Sequence, residues 1–485
     1  MLPLSGNNSP ENSSKKSKSS TEYHHLIFNS VTKPRTCLII FILTLQISIL
    51  TLFHYLPQLL NYRRHNNRRD SAVASPIAAV EVPSDGCELG RFYVYDLPPE
   101  LNVDIHKNCD ELSPWGSRCS ALSNGGFGRT SVAINGVIPA ALANTWYWTD
   151  QFSSEILFHN RLLHHKCRTV EPASATAYYI PFYAGLAVGK YLWNGSSVND
   201  RDTHCETMLR HIQQLPYLNR SKGWDHFLVM GRITWDFRRS KDEDWGSKCI
   251  YMPSMRNITR LLIERNPWDY FDVGVPYPTG FHPNSASEVL IWQEFVRTRE
   301  RHSLFCFAGA TRGLIPNDFR GLLLSQCRDS GGSCRVVDCA GTRCANGTSE
   351  ILETFLDSEF CLQPRGDSFT RRSIFDCMIA GSIPVFFWRR SAYFQYQWFL
   401  PNEPESYSVF IHRDEVKKGT SIKTVLEKYS KEQVKRMREK VVESIPKIIY
   451  AKPNEGLVSI KDAIDTAVDG VLSRIKEQKE NGYDW

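Results

Sequence analysis

The stretch Gln363–Phe387, QPRGDSFTRRSIFDCMIAGSIPVFF, carries the residue types from which an anion site is built. Gly366 and Asp367 make a loop, and Arg365, Arg371 and Arg372 flank it. Guanidinium groups at a helix start attract phosphate, because backbone N–H groups, the helix dipole and the added charge act together. Asp376 lies four residues beyond Arg372, so the two share a helical face. A carboxylate placed there can accept two hydrogen bonds from a ribose diol. Together these features make half of a sugar-nucleotide site. The plainer reading is a solvated ion pair, in the less favourable order for a helix, after a glycine loop of a common kind.

The elements that would position these groups are legible around them. Ser368 or Thr370 is placed to cap the helix. Ile374, Phe375, Met378 and Ile379 fall on one face, the core face. Gly381 suits a left-handed residue past the helix end, and Ile383–Phe387 is an apolar run of strand length. Upstream, Phe305–Ala308 reads as a strand, and Gly309–Gly313 as a loop containing Arg312. Asn317–Cys327 looks helical. Arg335–Asp338 and Phe360–Leu362 read as strands flanking a helix at Ser349–Leu356, and Lys431–Ser444 and Ile460–Lys476 as amphipathic helices.

The earlier half shows the same alternation. Arg91–Leu97, Ala175–Phe182 and His226–Met230 read as buried strands, Pro139–His165 as one or two helices, and Asn257–Arg265 as a short helix. Strands separated by helices indicate α/β domains with largely parallel sheets. The 485 residues exceed one typical core. The expected division is a first domain at 86–285, a second at 286–450 and a C-terminal helical segment at 451–485.

The net charge is +6, and no basic run with interleaved aromatics suggests nucleic acid. Residues 1–36 are rich in Ser, Asn and Lys and are expected to be a disordered tail. Residues 37–56, CLIIFILTLQISILTLFHYL, carry no Asp, Glu, Lys or Arg over a length that spans a bilayer. The preceding segment is too long for a signal-peptide n-region, so an uncleaved anchor is expected, followed by a stem at 57–85. Arg and Lys lie on both sides and leave the orientation open. Sequons at Asn194, Asn219, Asn257 and Asn346, with 13 of the 14 cysteines, lie beyond the span and favour a luminal body. Cys327, Cys334, Cys339 and Cys344 cluster without a histidine, which favours disulfides over zinc.

FYVYDLPPELN, DHFLVMGRITWDFRR, FCFAGATRG, CLQPRGDSFTRRSIFDCMIAGSIPVFF and YSVFI, taken in order, resemble the plant exostosin-type glycosyltransferases, in the branch containing the xyloglucan galactosyltransferases. The resemblance implies an α/β protein of GT-B type, two Rossmann-like domains facing a cleft, behind a single transmembrane helix and stem. It implies a Golgi type II membrane enzyme, open to complexes with other Golgi transferases. Such an enzyme moves galactose from UDP-galactose, with inversion, to xylosyl side chains of xyloglucan, and no metal cofactor is expected. Carried over, Arg312 and Arg372 contact the diphosphate, Asp376 the ribose, and Gly366 with Asp367 borders the donor sugar. Gly309, Arg365, Ser368 and Arg371 complete the expected donor set.

Two departures from relatives stand out: Ser382 in place of a cysteine, and Arg365 where another residue is frequent. A cation there also suits a uronic acid donor, so UDP-galacturonate, UDP-arabinose and a different hemicellulose such as mannan stay as alternatives. An inverting transfer needs a base for the acceptor hydroxyl. Asp236, just past the strand at His226–Met230, is the first candidate and His226 the second, although Asp236 also has Arg232, Arg238 and Arg239 for partners. A metal-dependent transferase using Asp200/Asp202 or Asp242/Asp244, and a non-catalytic glycan-binding protein, are the competing classes.

Overall fold

The computed structural model describes residues 86–481, apart from 133, 135, 194, 313–317, 342, 343 and 345–348, together with residue 46. The expected tail, anchor and stem therefore lie outside the described residues, save for residue 46. Among the described residues no helix is long and apolar enough to cross a membrane.

Among the described residues thirteen strands build two parallel sheets and one small antiparallel pair. Strands β1 (Phe92–Val94), β4 (Arg168–Thr169), β5 (Ala177–Ile180), β6 (His226–Val229), β7 (Thr259–Leu262) and β8 (Asp272–Gly274) form the first sheet, in the order β4-β1-β5-β6-β7-β8. Strands β2 (Arg129–Thr130) and β3 (Tyr147–Trp148) pair antiparallel beside it. Strands β9 (Ser303–Gly309), β10 (Cys334–Asp338), β11 (Ser358–Gln363), β12 (Ile383–Phe386) and β13 (Val409–Phe410) form the second, in the order β10-β9-β11-β12-β13. The last strand of one sheet ends at Gly274 and the first of the other begins at Ser303, with the helix Ala286–Thr298 between them.

Both sheets reverse their strand order once, between β1 and β5 and between β9 and β11. At such a reversal the flanking crossovers leave on opposite faces, and a crevice opens at the carboxyl ends of the strands. Parallel strands covered on both faces are apolar throughout. Thus β5, β6 and β12 are buried at every position.

One expected helix is a strand. Asn257–Arg265 contains β7, whose four residues are all buried between β6 and β8. A short apolar run fits either period, and burial on both faces decides for the strand. Arg260 enters this core because Asp269 and Asp272 neutralise it at 2.8 and 2.7 Å. The Pro139–His165 stretch is also more broken than expected: a 3-10 turn at Ala140–Thr145, then β3, then one helix at Ser154–Leu162.

The two sheets share one apolar core. Trp292 packs on Trp146 with ring centroids 5.0 Å apart and donates its indole N–H to the Ile379 carbonyl at 2.9 Å. The chain finally returns to the first sheet. Arg161 binds Asp462 and Asp465 at the start of the helix Ala463–Glu480 (3.3 and 3.1 Å), where Asp462 also caps that helix.

Candidate active site

The loops after β9 and β11, at the second sheet's reversal, bring four arginines together. Arg312 donates to the Gly366 carbonyl and to Asp367 (2.8 Å to the carboxylate). Arg320, in the first turn of the helix Phe319–Asp329, donates to the Arg365 carbonyl at 3.3 Å. Arg371 donates Nη2 to the Ala308 carbonyl at 3.1 Å, while its Nη1 is buried with no partner. Arg365 donates weakly to the Asp367 carbonyl at 3.4 Å and lies 5.4 Å from the Trp388 ring centre.

These contacts are mostly with carbonyls, so the positive charge is not cancelled. Burial, and then Arg320, pushes the Arg371 guanidinium down to about 10. Burial followed by Arg312 lowers Arg320 and Arg365 as well. Asp367, the carboxylate bonded to Arg312, is 84% exposed. A half-buried cluster with surplus positive charge and an unpartnered N–H is suited to a diphosphate.

Glu264, just past β7, holds the loop from the other side. Its carboxylate accepts from the Ser368 hydroxyl, the Thr370 amide (2.8 Å) and the Thr370 hydroxyl (3.1 Å). Burial raises its carboxyl above the usual range. Ser368 and Thr370 therefore do not cap the following helix as expected, and Arg372 stands at its N-cap without a side-chain cap bond. Gly366 is required for contact: a Cβ there would meet the Thr370 carbonyl at 2.4 Å. Gly309, which ends β9, carries no strained φ, but a Cβ would strike the Phe307 ring.

Arg372 and Asp376 share a helix face as expected, with contacts of 3.3 and 3.5 Å from Nε to the two carboxylate oxygens. Both line a groove of about 540 Å³ between the second half and the 117–152 segment of the first. Arg372 also donates to the Thr149 carbonyl across the groove at 2.6 Å. The expected pairing of Arg312 with Arg372 is thus redistributed. Arg371 joins Arg312, and Arg372 faces the groove. Among the described residues Asp376 has one side-chain donor, Arg372, at long distance, which leaves lone pairs for a diol. Burial raises its carboxyl, against Arg372. Ile351, Leu352, Phe355 and Ile379 give the groove an apolar wall beside it.

The two proposed bases are not open to this groove. Asp236 is 2% exposed, and both its oxygens are taken, by Arg232 Nε at 2.6 Å and the Trp245 indole at 2.8 Å. His226 is fully buried: Nδ1 contacts Asp225 at 2.6 Å, Nε2 contacts the Tyr95 hydroxyl at 2.7 Å, and its ring stacks on Tyr178. Both are buried and already bonded, so neither faces the groove in this structure.

The Asp-x-Asp stretches are also spent locally. Asp200 closes a capping box, Asp202 is buried against Arg239, and Asp242 pairs with Arg239 at 2.6 Å. Among the described residues no group of three or more His, Cys, Asp or Glu is placed to hold a metal ion. Of the sequon asparagines, Asn219 is exposed, Asn257 is half-buried, and Asn194 and Asn346 lie outside the described residues. Cys327–Cys334 and Cys339–Cys344 are disulfides, as are Cys361–Cys377 and three pairs in the first half; Cys306 is a buried free thiol.

Known proteins with this sequence pattern place the site in context. The exostosin GT47 domain matches residues 86–428. The xyloglucan galactosyltransferase XLT2 of Arabidopsis thaliana is 66% identical over 400 residues, 82% of this chain and 77% of that protein. The xyloglucan galactosyltransferase MUR3 of the same plant is 42% identical over 85% of this chain and 67% of its own length. Xyloglucan-specific galacturonosyltransferase 1, also from Arabidopsis thaliana, is 38% identical over 80% of this chain and 58% of its length. With the domain matched over most of its length and relatives of this identity, the chain belongs to the exostosin GT47 family.

Proposed function

We propose that the chain is an inverting glycosyltransferase that moves galactose from UDP-galactose to xylosyl side chains of xyloglucan. The observation that carries the reading is the arginine cluster at the β9/β11 reversal, with the unpartnered Arg371 Nη1 inside it. Arg312, Arg320, Arg365 and Arg371 take the diphosphate and stabilise the charge that grows on departing UDP. Asp376 takes the ribose diol, and the apolar wall of the groove takes the base. Gly366 lets the loop pass close enough to border the donor sugar, and Glu264 holds Ser368 and Thr370 in register. No metal is needed for this charge balance.

On this reading the two sheets are the two Rossmann-like halves of a GT-B enzyme, with the acceptor on the first. The body faces the Golgi lumen behind a type II anchor. Six disulfides support an oxidising compartment.

UDP-galacturonate is the second reading, because Arg365 adds a cation and one relative is a galacturonosyltransferase. The higher identity to XLT2 favours galactose. A donor panel of UDP-galactose, UDP-galacturonate and UDP-arabinose, offered to the purified full chain with galactose-free xyloglucan, decides between them. Transfer of galactose with β configuration is expected. Transfer from another donor alone, or none, rejects the assignment.

A further inference from the structure

Six aromatic side chains are strongly exposed among the described residues: Trp115, Trp235, Tyr251, Trp268, Tyr270 and Phe394. Four of them lie on segments that a single guanidinium ties together or touches. Arg238 donates to Thr234, beside Trp235, at 2.7 Å, and to Asp269, between Trp268 and Tyr270, at 2.7 Å. It also lies 6.0 Å from the Tyr251 ring centre. Asp272 completes the knot, accepting from Arg238 and Thr234 at 2.8 Å and from the Asn266 amide at 3.0 Å. The loops after β6 and β7 are therefore pinned, and Trp235 (59% exposed) and Trp268 (66%) are held out from them.

This patch runs up to the donor loop. Arg390 lies over the Trp268 ring at 4.3 Å and over the ring of Phe369, inside the Arg365–Thr370 loop, at 5.3 Å. Glu264, four residues before Trp268, grips Ser368 and Thr370 of that same loop.

Large rings held out to solvent on a pinned frame are suited to binding. An equatorially linked pyranose chain presents flat C–H faces that cover indole rings while its hydroxyls reach nearby charges. We propose that Trp235 and Trp268 form a platform for the pyranose backbone of the acceptor polysaccharide, beside the donor loop. This rests on the transferase reading above. The platform lies on the first half, next to the donor loop, and it favours long acceptors over short ones because only a long chain reaches both the platform and the transfer point.

The test uses the full-length chain as wild type, Trp235→Ala, Trp268→Ala, the double alanine variant, and Trp268→Tyr as the conservative control. Binding is read without turnover, as retardation in native gels containing xyloglucan. Kinetics are read as KM for polymeric xyloglucan, for its heptasaccharide and for UDP-galactose. The double variant is expected to lose retardation and to raise the polymer KM about tenfold, a factor worth about 1.4 kcal/mol. The heptasaccharide and UDP-galactose KM values should move far less, and Trp268→Tyr should restore most of the binding. Unchanged retardation and polymer KM in the double variant overturn the platform. So does an equal rise in all three KM values, or loss of a bound partner protein while glycan binding stays intact. If wild type transfers no galactose, the enzymatic reading fails, and the gels still decide the platform by themselves.

Discussion

The two sheets reverse their order in the same way, yet the loops at the two reversals are tied together by different groups. Between β1 and β5 the crevice is closed by the chain itself. Leu101 accepts the Tyr183 amide at 3.0 Å, and Asn102 donates its side chain to the Pro181 carbonyl at 3.2 Å. Between β9 and β11 the loops carry arginines instead. Charge accounting separates the halves just as sharply. In the first, Arg232, Arg238, Arg239 and Arg260 each meet an aspartate within 2.8 Å. In the second, Arg320 and Arg371 donate to carbonyls. A guanidinium on a carboxylate is already neutralised, whereas one on a carbonyl keeps its charge for a visitor. Arg232, Arg238, Arg239 and Arg260 are spent on folding, and the proposed function uses the charge that Arg320 and Arg371 retain.

The largest effect that would break this contrast lies in the first half. Asp272→Ala strips Arg260 and Arg238 of a shared partner inside the core. Removing one member of a buried pair costs about 3–5 kcal/mol. The midpoint of denaturant unfolding should fall accordingly. A variant as stable as wild type would show that the network is solvated and the accounting wrong.

The mirror experiment belongs to the second half. Arg371→Met removes a guanidinium crowded by Arg320 and Arg312, so stability should hold or rise. UDP affinity should drop about 10- to 100-fold, since charged hydrogen bonds contribute roughly 1.5–3 kcal/mol each. Calorimetric titration with UDP reads the loss, and thermal unfolding reads the stability. Loss of stability without loss of UDP binding would make Arg371 one more structural arginine. Asp376→Ala is a milder case, about tenfold in UDP affinity, because the ribose gives neutral donors. Unchanged affinity would remove Asp376 from the nucleotide site.

The second half was the more legible from sequence, for a physical reason. Ile374, Phe375, Met378 and Ile379 repeat with helical period and are all buried, and Gly381 takes the left-handed φ of 69° that ends the helix. Local periodicity settles such a unit without tertiary help. Glu264 was missed because the run before it fits helix and strand equally, and burial on both faces exists only in the folded sheet. Arg320 was missed because topology, not spacing, puts it beside Arg365. Asp236 lies past β6 and meets Arg232 as its spacing allows, whereas the fold adds the Trp245 indole on its other oxygen.

The smallest effect probes an acid that the first half leaves without a full countercharge. Glu155 is wholly buried and accepts from the Gly185 and Leu186 amides at 2.5 and 3.1 Å. Burial pushes its carboxyl up to about 8, with those amides and Arg232 pulling the other way. In the unfolded chain it titrates near 4.5. Its contribution to stability is therefore complete below 4.5 and is lost as pH rises through about 8. Buried His282 runs oppositely. Its pKa is lowered from 6.5 to about 4, so its contribution is full above 6.5 and is lost as pH falls toward 4. The opposed slopes overlap in acid, and above 6.5 His282 is neutral in both states. Melting temperature should thus decline between pH 7 and 8 in wild type, and Glu155→Gln, which keeps an acceptor oxygen but has no proton to lose, should flatten that decline. A slope that persists in the Gln variant would mean that Glu155 is already ionised at neutral pH. Arg232 would then balance Glu155 as well as Asp236.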